Sequence, residues 1–507
     1  MVFPMNFEKI ADFAPAYSPL LDRTSAKIAV LIGAAIIGTA IPLYPEACLP
    51  ILGLAFLCVV VKQPELGLLM IVASLGIFTD GWNRNRAIDD LVYRINIGKV
   101  YVTEFVVYGF AFIYIIRRIL HRENKKLLNF KSPLDWILPL FALCIAFFMF
   151  YGYELTHNAA KAFGYHGGRV VIVGIVFYFL LANTLSGTES AIRVFKWFFV
   201  AGTLKALFGL MRYVGGFSGA TNSYHGIPVP FVEIPETFAL SVCVAGAAAA
   251  VAFGILKKSE LIFVAAASSV MLLDIVLSLR RSVWLCLLVA MGVIFLLCPV
   301  MQRVRIALGC GLLAVVAVLA MGPDLYQRIE SRVGFLSEIV ERPELIGREE
   351  GDISFHYYDI LDAWSAFQET PFGRGFPGKY RRVLTSSEDN LIERYLGTGL
   401  VHNEALNLAV KTGVIGLGLY LLCLILFSVA VLRSLRLTAN PRTRALLATC
   451  LATILGGAAL GLSSAQLMGD TKYPMLYFTV FALAMVTRSE LLTEQQQEIS
   501  AGKASLV

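Results

Sequence analysis

The sequence predicts an all-α polytopic membrane protein with about 12–14 transmembrane helices and one large loop outside the membrane. Three observations carry that prediction. Of 507 residues, 57% are apolar and only 16% are charged, where soluble chains run to roughly a quarter charged. Mean hydropathy is +0.71. The apolar residues also fall in blocks long enough to cross a hydrocarbon core of roughly 30 Å, which takes about 20 helical residues. Long unbroken runs, rather than alternation over ten residues, select helices over a membrane β-barrel. This composition excludes a soluble multidomain enzyme, a disordered chain and a disulfide scaffold. The nine cysteines stand singly with no CxxC pair, mostly inside apolar blocks, where Cys behaves as a small hydrophobe.

Fourteen blocks start near residues 26, 46, 65, 101, 136, 169, 191, 236, 260, 282, 304, 405, 443 and 473. The segment before them, Met1 to Thr24, lacks a basic-then-apolar leader pattern and carries Glu8, Asp12 and Asp22. It reads as a cytoplasmic lead-in with the character of a surface helix. Orientation follows from Lys and Arg in short loops. Basic clusters follow the fourth block (Arg117, Arg118, Arg122, Lys125, Lys126, Lys131), the eighth (Lys257, Lys258), the tenth (Arg303, Arg305) and the twelfth (Arg433, Arg436, Arg442, Arg444). All four are exits of even-numbered blocks, so both termini are expected in the cytoplasm. The loop at 80–100, with Arg84, Arg86, Arg94 and Lys99, fits this pattern least well. The clusters suit contact with anionic membrane lipids. The net charge of +7 comes without a soluble basic module, so no nucleic-acid partner is expected.

One segment breaks the pattern. Residues 323–401 are polar, carry a net charge of −5, and by parity face away from the cytoplasm. They are not low in complexity. Phe355, Tyr357, Tyr358, Trp364, Phe367, Phe372, Phe376 and Tyr380 give them apolar surface to fold on the membrane domain. Ser354 to Phe367 has the spacing of an amphipathic helix, and Pro371 to Gly378 reads as a turn-rich connector. The expected organisation is 1–322 (about eleven transmembrane helices), 323–401 (the loop, with amphipathic helices) and 402–507 (the last transmembrane helices and a cytoplasmic tail).

Three features could carry chemistry. His402-Asn403-Glu404 opens the twelfth block, with Gly413 and Gly416 downstream. On a continuous helix His402 and Gly413 fall within about 20° of one face, and the glycines would let a neighbouring helix approach closely. Asn403 could cap that helix, with Glu404 at the positive end of its dipole. The second feature is Arg280-Arg281 in the tight connection between the ninth and tenth blocks, at an end where the positive-inside rule disfavours arginine. Interfacial snorkelling and anion binding both account for it. The third is Asp274, an intramembrane carboxylate, which calls for a partner. Arg280 and Arg281 are the nearest cations in sequence, and a water-filled cavity is the alternative.

The string H-N-x9-G-x-x-G, as His402, Asn403, Gly413 and Gly416 at the start of a membrane helix after one large loop, resembles the O-antigen ligase family and its polymerase relatives. Arg281 followed by Leu285 resembles the family's arginine motif, and Pro371-Phe-Gly373-Arg-Gly375 its loop turn. The likeness runs loosely over residues 165–435. Where the family often carries a loop arginine, this chain has His356, with Arg348 the nearest arginine upstream.

The resemblance implies a polyprenyl-diphosphate-linked glycan as donor, a glycolipid or glycan hydroxyl as acceptor, and an active site on the periplasmic face of a bacterial inner membrane. It implies His402 as general base and Arg281 on the diphosphate, with Arg280, Arg348, His356 and Asn403 as further substrate-binding residues. Gly413, Gly416 and Asp274 would be structural, and no metal or cofactor is implied. A ligase and a polymerase share the donor and differ in acceptor. The single dominant loop favours a ligase that transfers to lipid A-core, with an O-antigen or exopolysaccharide polymerase as the alternative. A lipid-linked glycan transporter is a third reading, although the chain shows no internal repeat symmetry.

Overall fold

The computed structural model describes residues 56–77, 96–97, 100–120, 132–163, 167–215, 221–222, 227–230, 234–304, 352–376, 401–469 and 471–500. They form helices α1 (Pro64–Ile77), α2 (Val102–Leu120), α3 (Pro133–Thr156), α4 (Ala159–Ala162), α5 (Gly168–Thr184), α6 (Thr188–Val214) and α7 (Ile234–Ala252). There follow α8 (Lys258–Leu277), α9 (Arg281–Leu297), α10 (Asp352–Glu369), α11 (Glu404–Leu437), α12 (Pro441–Gly461) and α13 (Lys472–Ser500). The only strands among the described residues are two short antiparallel ladders, β1 (Asn96–Ile97) with β2 (Val100–Tyr101) and β3 (Thr221–Asn222) with β4 (Ile227–Pro228).

The protein is an all-α polytopic membrane protein. Among the described residues seven helices are long and apolar enough to cross a membrane, and three shorter apolar helices accompany them. Large apolar side chains such as Phe112, Trp136, Leu143, Phe147, Leu288 and Leu296 are exposed on the helix faces, an arrangement lipid favours and water does not. Described helices stand at eleven of the anticipated blocks; those near 26, 46 and 304 lie wholly or largely outside the described residues. The chain divides into Met1–Cys58 and Val59–Val507, and everything below concerns the second unit.

Small residues set the close packing. α9 and α12 run antiparallel, and a Cβ on Gly456 would lie 2.6 Å from the Cys286 carbonyl oxygen and 3.4 Å from Ala290 Cβ. Around them Ala245, Ala249 and Ala252 of α7, Ala290 and Ile294 of α9, and Ala445 and Ala452 of α12 form one core cluster. With little hydrophobic drive between helices in lipid, such small-residue contact supplies the dispersion energy that holds them together.

α11 and α12 have unequal lengths, and this shapes the site. Their 34 and 21 residues rise about 51 and 31 Å at 1.5 Å per residue. They share a short turn at one end, yet at the other Gly461 meets Glu404, whose Cβ would lie 3.1 Å from a glycine Cβ. Two straight antiparallel helices cannot satisfy both contacts. α11 is interrupted at Gly413, which has φ 65° and ψ −165°. The bend there brings the short segment 404–412 back to the end of α12.

Candidate active site at the start of α11

The break at Gly413 leaves backbone groups that a straight helix would have paired. The connector after α10 takes them up. Val414 N–H donates to the Pro371 carbonyl at 2.9 Å instead of to Val410. The freed carbonyls of Val410 and Lys411 accept from Arg374 N–H and Gly375 N–H, each at 2.9 Å. Unpaired at membrane depth, each such group would cost roughly 1–3 kcal/mol, so break and connector stabilise one another. Here the structure corrects the expectation of a continuous helix with both glycines beneath His402. Gly413 does admit a close neighbour, but it is the backbone of Phe372 and Gly373, not a membrane helix. Gly416 makes room for the Thr412 side chain, whose Oγ1 would lie 1.9 Å from an added Cβ.

α10 packs along the first turns of α11, with Ala363, Ala366, Val401 and Val410 buried together and Phe367 and Leu406 against them. This packing sets Asp359 on His402. Asp359 Oδ2 accepts the His402 backbone N–H at 2.7 Å and lies 3.1 Å from His402 Nδ1. The Asp359 side chain is fully buried, while the imidazole is 29% exposed. A carboxylate at Nδ1 favours the tautomer with its proton on Nδ1, which leaves the Nε2 lone pair available.

Asn403 caps α11: its Oδ1 accepts from Leu406 N–H at 3.0 Å and its Nδ2 donates to the Leu462 carbonyl at 2.9 Å. Glu404 is buried, and Oε2 accepts Leu467 N–H at 2.7 Å, so it ties α11 to the segment after α12. Lys411, also buried, lies with Nζ 5.2 Å from the centre of the Phe376 ring. Arg280 is the N-cap residue and Arg281 the first residue of α9, after Leu279 at φ 54°; both arginines are partly exposed. The α9–α12 register places Cys286 and Ala290 beside Gly456. Five residues further toward that end, Arg281 comes within about a turn of the level of Gly461, and hence of Glu404 and His402.

The structure thus brings His402, Asn403 and Arg281 to one end of the bundle. Asp274 lies a turn below Ser278, fully buried, with no hydrogen-bond partner on either carboxylate oxygen. The cation that faces it electrostatically is Lys205 of α6 rather than Arg280 or Arg281, and Lys205 in turn lies 3.6 Å from Glu236 of α7. His356 is on α10, three residues before Asp359. Arg348 lies outside the described residues. Sequence reasoning missed Asp359, and a signal for it existed. Asp359, Asp362, Ala363 and Ala366 share one face at helical spacing, so two carboxylates interrupt the small-residue face of an amphipathic helix. Among the described residues no group of three or more His, Cys, Asp or Glu is placed to hold a metal ion.

The family model described as O-antigen ligase matches residues 266–421. That span is similar to the O-antigen ligase/polymerase superfamily. It takes in Asp274, Arg280, Arg281, α10, the connector and the first turns of α11, so both motifs at this end of the bundle fall inside it. The likeness supports a glycosyltransferase-like enzyme and lipid-linked glycan substrates, as the family implies. Compared with curated proteins, the chain matches none.

Proposed function

We propose that the protein transfers a glycan from a polyprenyl diphosphate to an acceptor hydroxyl, with inversion at the sugar, at the periplasmic face of the inner membrane. The observation that carries this is the buried carboxylate of Asp359 on Nδ1 of His402, at the bundle end that also bears Arg281. His402 Nε2 takes the proton of the acceptor hydroxyl as that oxygen attacks the anomeric carbon. The bond from that carbon to the diphosphate oxygen breaks on the opposite side, and the leaving diphosphate carries the electron pair away. Arg281, with Arg280 beside it, stabilises that charge through its planar guanidinium. Asp359 holds the ring and stabilises the imidazolium once formed. No metal is invoked, because the arginines meet the charge of the leaving group. In this reading both termini are cytoplasmic and residues 323–401 form the periplasmic element that completes the site.

The test is incubation of purified protein with a defined polyprenyl-diphosphate glycan and two acceptors, a lipid A-core and a second lipid-linked repeat. Transfer to the first assigns a ligase and to the second a polymerase; transfer to neither sinks the reading. Two substitutions refine it. Arg281→Lys keeps the charge and loses the fork, so kcat should fall by roughly tenfold or more, as expected when one charge-assisted hydrogen bond of about 1.5–3 kcal/mol is lost. Equal activity would reduce Arg281 to an interfacial charge. Asp359→Asn removes the anion that orients the ring and neutralises the charge it takes up as the hydroxyl is deprotonated, so kcat should drop while KM for the donor changes little. An unchanged kcat would leave Asp359 a packing residue only.

A further inference from the structure

The segment that presents Asp359 is held at a distance from the base it serves. After α10 the connector crosses two other backbones at van der Waals limits. At Gly152 of α3 an added Cβ would sit 1.8 Å from the Phe376 carbonyl oxygen and 2.5 Å from its nitrogen. From the other side, an added Cβ on Gly375, at φ 74°, would lie 2.7 Å from Gly152 Cα. Phe376 N–H donates to the Phe148 carbonyl at 3.0 Å. At the second crossing Gly373, at φ 91°, meets Gly413 N at 2.6 Å from its would-be Cβ. Backbone fills each of these spaces, and backbone cannot rotate aside as a side chain can. The joint therefore ties α3 and α11 together through the chain that leads directly out of α10. Asp359 is fixed relative to His402 only while α10 stays docked, and this joint anchors its C-terminal end.

We propose that Gly152, which no feature of the sequence singled out, is a positioning residue of the transfer reaction. Through the Phe376 and Gly375 backbone it holds α10 in the register that sets Asp359 on His402. The inference rests on the base assignment above. It predicts that a methyl group on α3, a helix that contributes no reacting group, disables the base.

The experiment compares Gly152→Ala with the full-length wild-type protein. Gly418→Ala serves as control, since its added methyl meets nothing within 4 Å. Hydrogen exchange reads the joint directly: the amides of Arg374, Gly375, Phe376 and Val414 should exchange faster in Gly152→Ala, with loosening along α10. Transfer kinetics should show kcat reduced about 100-fold, the scale of a displacement near 1 Å. KM for the donor should stay within about twofold, the same split between kcat and KM as in Asp359→Asn. Gly418→Ala should match wild type in both measurements. Unchanged exchange in Gly152→Ala overturns the joint. Faster exchange with wild-type kcat overturns the positioning role. If Gly152→Ala does not insert, Gly375→Ala, whose added Cβ would lie 2.7 Å from Gly152 Cα, tests the same crossing from the connector, with the same outcomes decisive. A wild-type protein that transfers no glycan removes the reaction and with it the positioning role, while the exchange measurement still decides whether the joint anchors α10.

Discussion

His402→Ala should lower glycan transfer by roughly 10²–10⁴-fold, the range that a positioned general base supplies, while the protein stays inserted and abundant. The geometry separates the two effects. The imidazole is 29% exposed, and the backbone N–H of residue 402 can still donate to Asp359 Oδ2 in the variant. Loss of the ring therefore removes chemistry more than structure. The measurement is kcat in the purified assay, with thermal unfolding in detergent as the structural control. Full activity would sink the base assignment. A second comparison sharpens it. Asp359 acts only through the histidine, so Asp359→Asn should have little further effect once His402 is alanine. Residues that act as one unit fail additivity in this way. Two losses that simply multiply would mean that Asp359 serves the reaction by a route other than His402.

The membrane helices were legible in the sequence because a run of about 20 apolar residues has few other homes. The blocks near 136, 405 and 443 became α3, α11 and α12 with starts within three residues. His402, Arg281 and Asn403 were legible as unusual polar residues at helix ends. Two things were not. Lys-Thr-Gly-Val-Ile-Gly from 411 to 416 continues the helical pattern on both sides, and nothing local marks a break. The groups that stabilise the break come from Pro371 to Gly375, some forty residues earlier, and a hydrogen bond across that separation leaves no periodic trace. Asp359 was hidden differently. On an amphipathic helix in an acidic loop a carboxylate reads as solvated, and only the packing of Ala363 and Ala366 against Val410 turns it inward. Asp274 shows the converse. Its burial was foreseen from its place in an apolar block, but its cation, Lys205, arrived from another helix.

Gly413→Ala should be the most damaging single methyl addition on α11. At φ 65° an L-residue already costs about 1–2 kcal/mol. The added Cβ would also lie 2.3 Å from Phe372 C and 2.6 Å from the Pro371 oxygen, backbone atoms that cannot swing away. The chain then has two ways out, and both disable the site. If the connector retreats, Val410 and Lys411 lose the N–H donors from Arg374 and Gly375, and Val414 N–H loses its acceptor, each at roughly 1–3 kcal/mol. If α11 instead straightens, Val414 can return to Val410, but then Glu404 moves away from Gly461 and Leu467, and a buried carboxylate loses its hydrogen bond. Transfer should fall at least 100-fold, with a lower unfolding temperature. The two routes differ in a measurable way. Retreat exposes the amides of Arg374 and Gly375 to exchange with 404–412 still anchored, whereas straightening also frees the Leu467 amide. Gly418→Ala, five residues further along in an uninterrupted stretch of the same helix with open space around it, should change neither activity nor stability. Wild-type transfer by Gly413→Ala would mean that the break is incidental, and that His402 and Asp359 meet without it.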